Sequence, residues 1–148
     1  MSAPVPALPV NLETIVAKFE RIDHPKRRYE YLLGFAQRLP PLSPQFKQPQ
    51  YKVVGCISQV YLYAQAVEGH VAFQGDADAL IPKGLLGLLV AGLNGLPPAE
   101  IGALSPDFIQ RTGLNLSLTP SRSNGFYNIF CALQRQAIAL AQPAPPAD

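Results

Sequence analysis

Cys56 carries the most distinctive chemistry of this 148-residue chain, set in the run Gly55-Cys56-Ile57-Ser58-Gln59-Val60-Tyr61. Gly55 permits a sharp backbone turn, and the residues after the thiol return to an extended, half-buried pattern. The sulfur is therefore expected at a loop tip. Thiolate, not thiol, is the nucleophile, and an ordinary cysteine of pKa near ~8.5 is only a few per cent ionised at neutral pH. Reactivity calls for altered surroundings or for a partner that deprotonates the thiol on docking. Read by itself, a single cysteine after a glycine also fits a small packed apolar side chain.

Other chemistries find little support. Cys131 lies five positions beyond Phe126, off the apolar stripe of its segment, and reads as incidental. Two cysteines in a domain of this size make no disulfide framework. His24 precedes a helix-opening proline and His70 follows a turn, so neither is arranged as a base for Cys56 in a hydrolase dyad. Gly84-Leu85-Leu86-Gly87 reads as helix packing, because no glycine-rich phosphate loop precedes a basic residue. A cluster scaffold needs about three or four soft ligands, and only Cys56 is well placed. No metal and no cofactor are expected.

The elements that must hold Cys56 follow from periodicity. Leu12, Ile15, Val16, Phe19 and Ile22 fall at helical spacing behind Asn11, which reads as the cap. A second helix opens at Asp23-His24-Pro25 and stops at Leu39-Pro40-Pro41, forming a helical hairpin with the first. The cluster Lys26-Arg27-Arg28 beside Arg21 reads as a solvated face. After a proline-rich connection, Tyr51–Val54, 60–64 and 70–74 read as strands, the last two joined by a turn at Glu68-Gly69. Leu80, Ile81, Leu85, Leu88, Leu89 and Leu93 lie on a helix apolar enough to be central. Two short helical turns at 97–104 and 106–111 lead to a last helix whose stripe runs through Phe126, Ile129, Phe130, Leu133, Ala137 and Leu140.

The length supports one domain, expected over 11–141, with proline-rich tails at 1–10 and 142–148. Twelve basic against ten acidic residues give a net charge of +2, too balanced for the phosphate-neutralising face that binds nucleic acid. Leu80–Leu93 is interrupted by Pro82, Lys83 and glycines, short of the ~18 apolar residues of a membrane span. The first residues lack the pattern of a secretory signal, so a cytosolic protein is expected.

Four ordered motifs carry a resemblance that spans about 11–141: the Cys56 run, Gly75-Asp76-Ala77-Asp78-Ala79, Lys83-Gly84-Leu85, and Leu118-Thr119-Pro120-Ser121-Arg122-Ser123-Asn124-Gly125. Together with Gln37-Arg38-Leu39-Pro40, they resemble the SufE family of sulfur acceptors. The resemblance implies an α+β fold of the SufE/IscU-like kind, a small antiparallel sheet of about three strands packed against helices. It implies that Cys56 accepts sulfur from a SufS-type cysteine desulfurase, a pyridoxal phosphate enzyme, and hands it to a cluster-assembly scaffold while stimulating the desulfurase. Such a carrier is expected to be a monomer or weak homodimer without independent turnover.

Gly55, Ser58, Gln59, Asp76, Asp78 and Arg122 are expected to support the thiol or contact the partner. Asp78 is expected to cap a helix, and Arg122 either to lower the thiol pKa or to pair with Asp76 or Asp78. Val54, Ile57 and Val60 are the apolar neighbours expected to shelter a bound sulfur. The chain departs from the family pattern at Ile57, Tyr61 and Ala77, where glutamine, tryptophan and serine are common. A regulatory adaptor that carries no sulfur, and a sister carrier serving tRNA thiolation, are the alternative readings.

Overall fold

The computed structural model describes residues 8–56 and 58–141. In chain order it contains α1 (Val10–Arg21), α2 (Pro25–Arg38), β1 (Val60–Val67), β2 (His70–Ala77) and α3 (Leu80–Leu93). The short α4 (Pro98–Gly102), α5 (Phe108–Arg111) and α6 (Leu114–Ser117) then lead into the long α7 (Pro120–Ala141). The fold is α+β, as expected.

α3 forms the centre, with every residue from Gly84 to Val90 buried. Its glycines face helices. A Cβ on Gly84 would stand 2.9 Å from the Leu32 carbonyl oxygen, one on Gly87 would run into the Phe35 carbonyl, and one on Gly92 would meet Leu12 at 2.8 Å. α2 and α1 therefore lie on α3 at near-backbone contact. The first two helices touch one another through Phe19 on Tyr31, with ring centroids 4.6 Å apart. α7 brings Phe126, Ile129, Phe130 and Leu133 into the same core. Arg111 on α5 ties down α1 with paired bonds of 2.8–2.9 Å to Glu13 and 2.8–3.2 Å to Glu20. Those bonds hold both carboxyls below the usual carboxylate range.

The helix starts divide the expectations. His24 opens α2 as foreseen, its ring nitrogen accepting the Lys26 N–H at 3.2 Å with Pro25 in the first turn. α1 instead begins at Val10 behind Pro9, and Asn11 lies inside the first turn without capping. Proline at that position brings a suitable φ, and its carbonyl takes the Glu13 N–H at 2.8 Å. Leu8 packs on the core and Pro9 is buried, so the folded part reaches into the expected 1–10 tail. The rest of that tail, and 142–148, lie outside the described residues. Of the basic cluster, Lys26 and Arg27 are exposed, whereas Arg28 donates to the Ile22 carbonyl at 2.9 Å and to Ser117 at 3.2 Å.

Among the described residues the sheet has two strands, not three. β1 and β2 pair antiparallel from Val60↔Ala77 to Val67↔His70, closed by Glu68 and Gly69 at φ 52° and 82°. Two successive positive φ values define the tight turn whose twist suits a hairpin. Tyr51–Val54 does not become the third strand. Pro49–Tyr51 winds into a 3₁₀ turn, and Gly55 at φ +90° bends the chain away again. Between them only Lys52 bridges Tyr61, and the Val53 N–H reaches the Val60 carbonyl at 2.8 Å. Stacked rings fix this connection: Phe46 lies over Tyr63 at 3.6 Å, and Tyr51 meets both edge-on. The outer edge of β2 is covered by Pro40, Asn94 and Leu96, which take the N–H groups of Gly75, Phe73 and Val71. No helix among the described residues is long and apolar enough to cross a membrane.

The two kinds of helix glycine separate in a stability test. Gly34 has nothing within 4 Å of a built Cβ, so Gly34→Ala is expected to stabilise by up to about 1 kcal/mol. Gly87→Ala forces α2 off α3 and is expected to cost about 1–3 kcal/mol, read as opposite shifts of the urea midpoint.

Candidate functional site

The loop carrying Cys56 is held by its backbone at both ends. At the near end Asn128 on α7 donates to the Gly55 carbonyl at 3.1 Å, and a Cβ on Gly55 would stand 2.6 Å from the Asn128 amide nitrogen. Glycine is required there twice over, by the positive φ and by the close approach. At the far end the Gln59 N–H donates to the Asp78 carboxylate at 2.9 Å, and the Asp78 N–H donates back to the Gln59 carbonyl at 3.1 Å. The thiol hangs between these two clamps.

Cys56 is half-buried and opens onto a cavity of about 420 Å³ between the first turns of α3 and α7. Pro82 and Leu85 of α3 form one wall, and Gly125 and Ile129 of α7 form the other. Ser58, Thr119, Ser121 and Arg122 complete the lining. The sulfur lies 3.9 Å from the Gly125 carbonyl oxygen. Burial pushes the thiol above its ordinary pKa, and burial alone is the cause. At neutral pH the resting sulfur is protonated. No histidine lines the cavity.

Several sequence expectations change here. Asp78 does not cap α3: the residue before that helix is Ala79, without a side-chain cap, and the Asp78 carboxylate is turned back onto the cysteine loop. Asp76 faces two lysines, Lys47 at 3.4 Å and Lys83 at 3.6 Å. Among the described residues Arg122 pairs with neither aspartate; it is exposed at the cavity, and the thiol pKa is raised instead of lowered. A flexible cation in solvent gains little from a single pairing, whereas a carboxylate facing an unpaired backbone N–H has a fixed partner.

The sheltering residues also differ. Val54 is 80% exposed and Val60 is wholly buried in the core, while Ile57 lies outside the described residues. Pro82, Leu85 and Ile129 provide the apolar lining instead. Ser58 lines the cavity as a member of the loop, and Gln59 contributes its backbone, with its side chain accepting the Tyr61 hydroxyl at 3.4 Å. Ala77 ends β2 and packs against the core.

Cys131 is on the same helix one turn beyond Tyr127, and its proximity pushes the Tyr127 hydroxyl above the usual tyrosine pKa. It does not line the cavity. The residue that sequence reading missed is Asn128. Its signal was a polar side chain among Phe126, Ile129 and Phe130, one turn past Gly125. Among the described residues, no group of three or more histidine, cysteine, aspartate or glutamate side chains is close enough to hold a metal ion.

Comparisons with known proteins point one way. Residues 13–137 match the family model SufE, described as an Fe-S metabolism associated domain. An uncharacterised SufE-like protein of Synechocystis is 54% identical over 132 residues, covering 89% of this chain and 83% of that protein. The Arabidopsis thaliana SufE-like protein 1, chloroplastic/mitochondrial, is 42% identical over 138 residues, but the match spans 93% of this chain and only 37% of that longer protein. A solution structure of a hypothetical protein from Thermus thermophilus superposes with TM-score 0.79 at 26% identity, over 91% of this chain and 98% of the other.

Loosening either clamp exposes the thiol. Asp78→Ala and Asn128→Ala each remove one backbone hydrogen bond, worth about 0.5–1.5 kcal/mol. Iodoacetamide alkylation of Cys56 is expected to speed up about fivefold in either variant, the ratio corresponding to about 1 kcal/mol. Because burial favours the neutral thiol, the rate in the unaltered protein should rise with pH through an inflection above that of a free cysteine peptide. In the loosened variants this inflection should move down.

Proposed function

The chain belongs to the SufE family, and on that premise we propose that Cys56 takes the outer sulfur of a cysteine desulfurase's persulfide and passes it on. Membership places the chain in iron–sulfur metabolism. The finer reading makes it the mobile sulfur carrier of that metabolism, clearing the desulfurase's persulfide and so stimulating it, and delivering to a cluster-assembly scaffold in the cytosol.

The observation that carries this reading is the half-buried Cys56 thiol, held by two backbone clamps over an apolar-walled cavity. The exchange conserves atoms and electrons. The Cys56 thiolate attacks the outer sulfur of the donor persulfide, a new S–S bond forms at Cys56, the donor S–S bond breaks, and the donor cysteine leaves as thiolate. Handing the sulfur on repeats the step with Cys56 as leaving group.

No base within the chain is needed if docking supplies one. The resting thiol is protonated because it is buried, so it stays inert towards passing electrophiles. A partner that draws the loop out breaks the three hydrogen bonds of the two clamps, about 1 kcal/mol each, within what a protein interface returns. Exposure then lowers the thiol pKa towards its ordinary value. Asp76 with Lys47 and Lys83, and the exposed Arg122, present charge of both signs beside the loop to such a partner.

Incubation with a pyridoxal phosphate cysteine desulfurase and cysteine, followed by peptide mass spectrometry, tests the assignment. The Cys56 peptide is expected to gain one sulfur atom that dithiothreitol removes, and the Cys131 peptide none. Cys56→Ser should abolish both charging and stimulation, whereas Cys131→Ser should leave both intact. Undiminished stimulation by Cys56→Ser would show a regulatory adaptor instead.

A further inference from the structure

We propose that the bare Gly125 face of α7 is the seat of the outer sulfur in the charged protein, and that the side chain missing there is what lets that sulfur stay under cover. The inference rests on the carrier reading above. Gly125 is buried within α7 and its φ is not positive, so the backbone does not call for glycine. Alanine is the better helix former at such a position. Packing does not call for glycine either. Gly84 and Gly87 are pressed against the backbone of α2, but among the described residues a Cβ built on Gly125 meets a single atom within 4 Å, the Cys56 sulfur at 3.9 Å. The side chain absent from α7 leaves open space beside the reactive atom.

That space suits a second sulfur. A sulfur–sulfur bond is ~2.05 Å long, so an outer sulfur directed at Gly125 would lie roughly 2 Å from a methyl carbon placed there, deep inside contact distance. With glycine the outer sulfur fits between Leu85 and Ile129, both buried, and is turned away from the exposed rim at Ser121 and Arg122. With alanine it has to turn outward, where small thiols reach it.

Gly125→Ala tests the seat. Both proteins are charged by a desulfurase and cysteine and freed of small thiols, and release is followed after adding dithiothreitol. In that reaction the outer sulfur leaves as hydrogen sulfide, Cys56 returns as thiol, and dithiothreitol is oxidised to its cyclic disulfide. The variant is expected to melt at or above the wild-type temperature and to titrate two thiols when uncharged, yet to release sulfur about tenfold faster. Tyr127→Ala, which alters a residue outside the cavity, should keep the wild-type rate. Equal release from Gly125→Ala and wild type overturns the seat and leaves the carrier reading standing. Failure of the wild type to take up sulfur overturns the carrier reading itself. A measurement without any variant checks the shelter separately: the wild-type persulfide should react more slowly with dithiothreitol than a persulfide on a peptide of residues 50–62, and equal rates overturn the proposal.

Discussion

Everything in this fold is arranged around a helix that has almost no surface of its own. α3 is buried from Gly84 to Val90 and contacts α1, α2, α7 and β2. The balance of terms favours this strongly. Gly84, Gly87 and Gly92 each disfavour the isolated helix by up to about 1 kcal/mol, whereas each fully buried leucine of α3 returns roughly 1.5–3 kcal/mol. The same glycines let α2 and α1 close to backbone distance, so they sacrifice local propensity for tight packing. Core and site share this helix, since Leu85 is at once a core residue and a wall of the Cys56 cavity.

In the proposed role the Cys56 thiol faces opposed demands, for a carrier must be reached by a large partner and kept from small solutes. The chain suits them by fixing the cysteine loop through backbone groups at Gly55 and Gln59 while, among the described residues, the thiol itself has one weak polar contact, 3.9 Å from the Gly125 carbonyl. Burial keeps the thiol protonated, so shelter and chemical quiescence have a single cause. Movement of the loop would undo both together.

Much of this was legible beforehand. The apolar stripes located α1, α2, α3 and α7 to within a few residues, and Glu68-Gly69 marked the hairpin turn. The third strand failed because β-prone residues at 51–54 are enclosed by a 3₁₀ turn and a left-handed glycine, which leave room for one bridge. The cap at Asn11 failed because Pro9 could start the helix earlier at no cost in hydrogen bonds. Asp78 shows the same limit: its position before a helix suggested a cap, but its carboxylate takes the N–H of Gln59, nineteen residues back in the chain.

Residue order alone singled out the candidate reactive atom, because Cys56 follows a turn-permitting glycine and belongs to four motifs in register, and chemical type and local spacing are properties of the chain itself. Only the folded molecule decided what surrounds that atom: that Asn128 holds Gly55, that Asp78 faces the loop, and that Gly125 leaves space beside the sulfur. Those contacts join residues nineteen to seventy-three positions apart. Such distances are set by how α3 and α7 pack, which no local pattern records.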